Sequence, residues 1–219
     1  MAESEKQGST EDIKRAASDS MQEEGDIAAR VRDLTLQAFQ AKRFDYAGMK
    51  DVIEAMTAGI SLGAEKRTSE AKHAVADALS GLDQALMKSA QASRLALQEL
   101  ATRGRELSDG ELKQALEQMK RLEGDFIAAV NKASQSAGSV AKSELRDFVA
   151  HAQRAGTDTG AVVAQTMREF SHRVATQMLD AQAAGMEAAR ELNSRFVQAA
   201  SGFLQGLAES LRESGRKKK

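Results

Sequence analysis

The side chains able to do chemistry are few and poorly spaced for it. The three histidines, His73, His151 and His172, stand at no metal-ligand spacing from one another. Cysteine is absent, which excludes disulfides, thiolate zinc sites and cysteine nucleophiles together. Glu169 precedes His172 by three residues, the spacing of an exposed helix contact. Carboxylates are plentiful but come with cations at helical spacing, as in Glu117 with Arg121 and Glu187 with Arg190 and Glu191, the pattern of a solvated face. There is no glycine-rich phosphate loop, nucleophile elbow or Ser/His/Asp arrangement. The expectation is a non-catalytic chain that takes no cofactor and no metal.

The elements that carry these side chains read as helix throughout. The sequence has 219 residues with no Pro and no Trp, one Tyr (Tyr46), and only 4% aromatic residues. Proline is the usual breaker of helices, and most of the remaining residues are strong helix formers. The net charge of −1 lacks the basic field that nucleic-acid binding requires. No apolar run approaches the roughly 18 residues that would span a bilayer, Phe126 to Val130 being typical of the longest. The charged start, Met1 to Lys6, reads as no secretory signal, so a cytoplasmic location is expected.

Punctuation divides the chain unevenly. Residues 1–10 are acidic and offer nothing to bury, so they are expected to be disordered. Residues 11–44 read as two short helices separated by Gly25. From 45 to 213 stop signals cluster at two places only: Arg103-Gly104 through Glu111, where Ser108 and Glu111 spell a capping box, and Gly156 to Gly160, where Asp158 or Thr159 can cap. The expected helices are about 45–103, 109–155 and 159–213, followed by a basic tail over 214–219.

An apolar repeat of eleven residues runs through the long-helix region. One ladder includes Met49, Ile60, Leu82, Phe126, Phe148, Phe170, Leu192 and Phe203. A second, four residues on, includes Ile53, Val75, Leu86, Leu97, Met119, Val130, Val163, Val174, Phe196 and Leu207. The intervening steps are Ala, Gly, Ser or Thr, and neither ladder contains a charge although 29% of the chain is charged. Eleven residues in three turns is close to the natural period of the α-helix, so the stripe runs nearly straight along the cylinder. These residues are the candidate contacts to an apolar surface or to another copy of the chain. The fold expected is all-α, with long amphipathic helices forming either a three-helix antiparallel bundle or an extended coiled-coil rod.

Over about Tyr46 to Leu211 the Ala-, Gln- and Ser-rich amphipathic helix, the missing Pro and Cys, the Ala-laden stripe and the short basic end resemble the phasins. These are bacterial proteins that coat polyhydroxyalkanoate granules. The resemblance implies a cytoplasmic granule-surface protein, oligomeric through coiled-coil contacts and without catalytic residues. The residues by themselves leave three functions open: a coat on an apolar granule or lipid surface, a self-associating helical scaffold, and a stress-protective amphipathic helix protein.

Overall fold

With no proline, helix is opposed only by glycine and by short polar residues that compete for backbone hydrogen bonds. The computed structural model describes residues 2–41, 46–67, 70–102, 109–177, 197–206 and 209, and no strand occurs among them. The helices are α1 (Ala2–Ser20), α2 (Ile27–Ala41), α3 (Tyr46–Lys66), α4 (Ala71–Thr102), α5 (Asp109–Ser136), α6 (Ser139–Ala155) and α7 (Asp158–Gln177). A further helical stretch covers 197–206. None of the described helices is long and apolar enough to cross a membrane.

Two of the expected long helices are divided. The one expected over 45–103 ends at Lys66 and resumes at Ala71, with Glu70 in the left-handed region at φ 52°. The one expected over 109–155 is interrupted at Ala137-Gly138. Contacts distant in sequence stabilise both breaks. The Arg67 guanidinium donates to the Met21 carbonyl, and the Gly138 amide donates to Glu65 Oε1 at 2.9 Å. Residues 2–10, expected to be disordered, are helical as the first part of α1. The reason lies further along, where Ile13 of α1 packs against the core and Ala17, with Met21 just past the helix end, is fully buried.

Other boundaries fall on sequence signals. Gly25, at φ 95°, lies in the turn between α1 and α2, and the Ala29 amide donates to Asp26 Oδ1 at 2.8 Å as α2 begins. Gly156, at φ 81°, closes α6, its amide donating to the Ala152 carbonyl at 2.9 Å. The proposed capping box at Ser108 lies outside the described residues.

α3 and α4 form the centre. α3 contacts α1, α2, α4, α5 and α6, while α4 contacts α2, α3, α5, α6 and α7. Two contacts bring backbones together. A Cβ added at Gly59 of α3 would run into the Lys14 carbonyl and Ala17 of α1, and one at Gly81 of α4 into the Ala28 carbonyl of α2. The core is a single cluster in which alanine is the most frequent residue, with Phe39, Met56, Leu79, Phe126 and Leu145 among its larger members. Five of the hydroxyls within it bond inside their own helices, one turn back. Thr35 donates to Val31, Thr57 to Ile53, Ser89 to Ala85, Ser93 to Ser89 and Thr166 to Val162, at 2.7 to 3.0 Å.

Candidate functional site

The stripe residues are brought together, and they face one another. Met49, Ile53, Ile60, Val75, Leu82, Leu86, Leu97, Met119, Phe126, Val130, Val163 and Phe170 are buried. Phe148 and Phe203 are partly buried and pack against the same cluster. Phe126 and Phe148 meet edge to face, their ring centres 5.3 Å apart. The small ladder residues Ala64, Ser93, Ala115, Ala137, Ala141, Ala152 and Thr159 are buried as well. The side chains of Val174, Leu192, Phe196 and Leu207 lie outside the described residues. Leu62, Leu95 and Val140 are the large apolar side chains exposed among the described residues, and they belong to neither ladder. The apolar face read from the sequence is thus the interior of the fold.

One buried polar cluster crosses this interior. Asp83 of α4, only 7% exposed, accepts from the amides of Asp158 at 2.9 Å and Thr159 at 3.2 Å, and from the Thr159 hydroxyl at 2.6 Å. These groups begin α7, where free amides and the positive end of the helix dipole favour an anion. Thr157 completes the cap by accepting from the Gly160 amide at 2.9 Å, and its own hydroxyl donates to Glu123 Oε1 at 3.0 Å. The cap expected from Asp158 or Thr159 therefore comes from Thr157 and, across the fold, from Asp83. Burial pushes the Asp83 carboxyl above the usual carboxylate range, against the opposing pull of the Thr159 hydroxyl and the two amides. Asp83 breaks neither ladder, and its one local sign is a carboxylate placed beside Leu82 on the face that carries Leu79 and Leu86.

Further polar contacts hold the helices from outside. The Tyr46 hydroxyl donates to Asp125 Oδ2, joining α3 to α5, and burial together with this carboxylate pushes the phenol up to about 12. Glu169 of α7 accepts from Arg94 Nε at 2.8 Å and Gln98 Nε2 at 2.6 Å of α4, while the His172 side chain expected near it lies outside the described residues.

Next to the Asp83 cluster lies an open cavity of about 430 Å³, whose lining includes Leu79, Glu144, Asp147, His151 and Asp158. The Lys72 ammonium stands 3.7 Å from Glu144 at this edge. A second cavity, of about 460 Å³, lies between α1 and α5 over α3, its apolar lining made of Ala55, Ala58, Leu62, Ala129 and Ala133. Its rim charges pair with each other, Lys132 with Glu54 at 3.2 Å and Lys14 with Glu11 at 3.5 Å. Among the described residues no group of three or more His, Asp or Glu side chains is placed to hold a metal ion.

No curated protein and no solved structure matches the chain. Residues 3–213 match a protein family of unknown function, DUF6781, and the chain belongs to that family.

Proposed function

We propose that this protein is a non-catalytic coat whose helices exchange their contacts with one another for an apolar granule or lipid boundary, as a phasin would. The observation that carries the reading is the register of the stripe. Its eleven-residue phase runs unbroken from Met49 to Leu207, through the breaks that end α3, α5 and α6. Helices that met only inside a bundle would be free to take any phase after each turn. A single phase is what a chain needs if neighbouring helices are to lie end to end with one face against a flat surface.

The composition of the core supports the same exchange. Ser and Thr hydroxyls that bond to their own helix stay satisfied when helices part, so separation orphans none of these groups. Each large stripe side chain, worth about 1.5–3 kcal/mol when buried, regains that burial against an apolar surface. The charged outer faces would then point to water and keep the particle dispersed.

The test is flotation of the full chain with triolein droplets and co-sedimentation with polyhydroxybutyrate particles. Circular dichroism would be recorded alongside emission from a Phe148→Trp variant, which is unambiguous because the chain has no Trp. Binding with helix content retained and a changed Trp environment is expected. A folded protein that ignores both particles would sink the reading, and concentration-dependent oligomers in the same sample would put the scaffold in its place.

A further inference from the structure

We propose that the cavity between α1 and α5 is a binding site for a small uncharged aliphatic carbonyl compound, whose oxygen accepts the hydroxyl proton of Ser61. The inference concerns the closed fold and does not rest on the coat reading.

Ser61 itself is the first observation. Five hydroxyls of the core donate to a carbonyl one turn back, Thr57 to Ile53 on this same helix among them. Ser61, one turn further along α3, does not. It is only 7% exposed, lines the cavity, and makes no hydrogen bond among the described residues. Its oxygen is not among the fully enclosed atoms that lack a partner, so the hydroxyl keeps its access on the cavity side. Ser136 of the α5 wall behaves in the ordinary way, donating to the Ala133 carbonyl at 3.3 Å. A nearly buried donor with its proton unspent is unfavourable, and an acceptor brought by a ligand removes that cost.

The walls say what else the ligand carries. Ala55, Ala58 and Leu62 share the cavity side of α3 with Ser61 at helical spacing, and Ala129 and Ala133 line it from α5. The space they leave is about 460 Å³, within the ordinary range of small-molecule sites. A water takes up about 30 Å³, so one water could satisfy the hydroxyl but would leave these methyl groups wet. An aliphatic chain covers them, together with Leu62, which is 37% exposed. Because Ser61 lies so deep, the carbonyl must arrive on a free molecule and not on a group fixed in a surface.

The rim selects against charge. It holds Glu11, Glu54 and Glu65 against Lys14 and Lys132. Lys132 is 3.2 Å from Glu54 and Lys14 is 3.5 Å from Glu11, while Glu65 Oε1 accepts from the Gly138 amide at 2.9 Å. An anion would meet an excess of carboxylate. An ammonium would offer no acceptor to Ser61. A carbonyl supplies that acceptor without charge.

The test is a titration of the full chain with ethyl hexanoate, followed by amide shifts in NMR. Saturable shifts are expected over residues 55–62 and 129–136, which bracket the cavity walls. Ser61→Ala removes one neutral hydrogen bond and should weaken binding about two- to tenfold. Ala58→Leu, at a partly exposed position, fills the space and should abolish binding. Circular dichroism and urea midpoints of both variants separate a lost site from a lost fold, and Ser61→Ala decides alone if Ala58→Leu does not fold. Hexanoate and hexylamine, the charged congeners, are expected to bind more weakly than the ester. The absence of saturable shifts at these residues, equal affinity in Ser61→Ala, or tighter binding of either congener would overturn the assignment. None of these outcomes bears on whether the helices open onto a droplet, so the coat reading stands or falls separately.

Discussion

Asp83→Ala is the substitution that bears most directly on how the interior is held. It removes the acceptor from the amides of Asp158 and Thr159 and from the Thr159 hydroxyl, at a site where Thr159 has no solvent exposure. A buried donor left without a partner costs about 1–3 kcal/mol. Two amides lose theirs here, and the loss is partly offset because a desolvated carboxylate also disappears. A net cost of about 2 kcal/mol at pH 7 follows, which also matches the upper range for loss of a helix cap. For a chain of this length that corresponds to a fall in Tm of roughly 4–8 °C.

The pH dependence has a definite sign. The folded carboxyl sits above its ordinary value of 3.8, so the fold binds this proton more tightly than the unfolded chain does. The stability Asp83 contributes is therefore complete below 3.8 and falls as pH rises through the higher folded value. The cost of Asp83→Ala should consequently grow as pH is lowered from 7 toward 4. Urea titrations of both proteins across that range measure it. A cost that is absent at pH 7 would refute the account of Asp83 as a buried cap on α7, and one that shrinks on acidification would refute burial as the larger influence on its carboxyl, because the amide and hydroxyl bonds favour the charged form.

Other expectations are simpler. The single tyrosine permits direct titration by ultraviolet absorbance: Tyr46 should ionise near 12 in the folded protein and near 10 in urea. The stability it contributes is present below 10 and lost as pH rises through 12, and a Tyr46→Phe variant should lack that alkaline component. Phe126→Ala empties a fully buried site and removes the edge-to-face contact with Phe148, so a loss of about 3–5 kcal/mol is expected in urea denaturation. Arg94→Ala breaks a partly exposed pair with Glu169 and should cost no more than about 1 kcal/mol, less still in high salt. A larger effect would mean that the α4–α7 contact depends on this pair.

The helical state and the membership of the core were legible in the chain because both are local properties. A period near 3.6 and the absence of proline make helix the default wherever the stripe runs, and the stripe residues are those that water excludes, whatever they pack against. Met49, Ile53, Leu82, Phe126 and Val163 are core residues for that reason. Boundaries were legible where a glycine with positive φ marks them, as at Gly25 and Gly156.

What only the tertiary structure decided is what each face meets. The break after Lys66 has no glycine, and the one at Gly138 lies inside a continuing stripe; both hold because Arg67 and Glu65 find partners far away in sequence. The docking of α1 follows from space left at Gly59 and Gly63, and nothing local marks an absent side chain as a contact. Asp83 sits beside the ladder residue Leu82 without breaking the repeat, and the two amides that justify it lie 75 and 76 residues away. Periodicity states that a face must be buried. The choice between a surface, another copy and the chain's own helices depends on distances that exist only once the chain has folded.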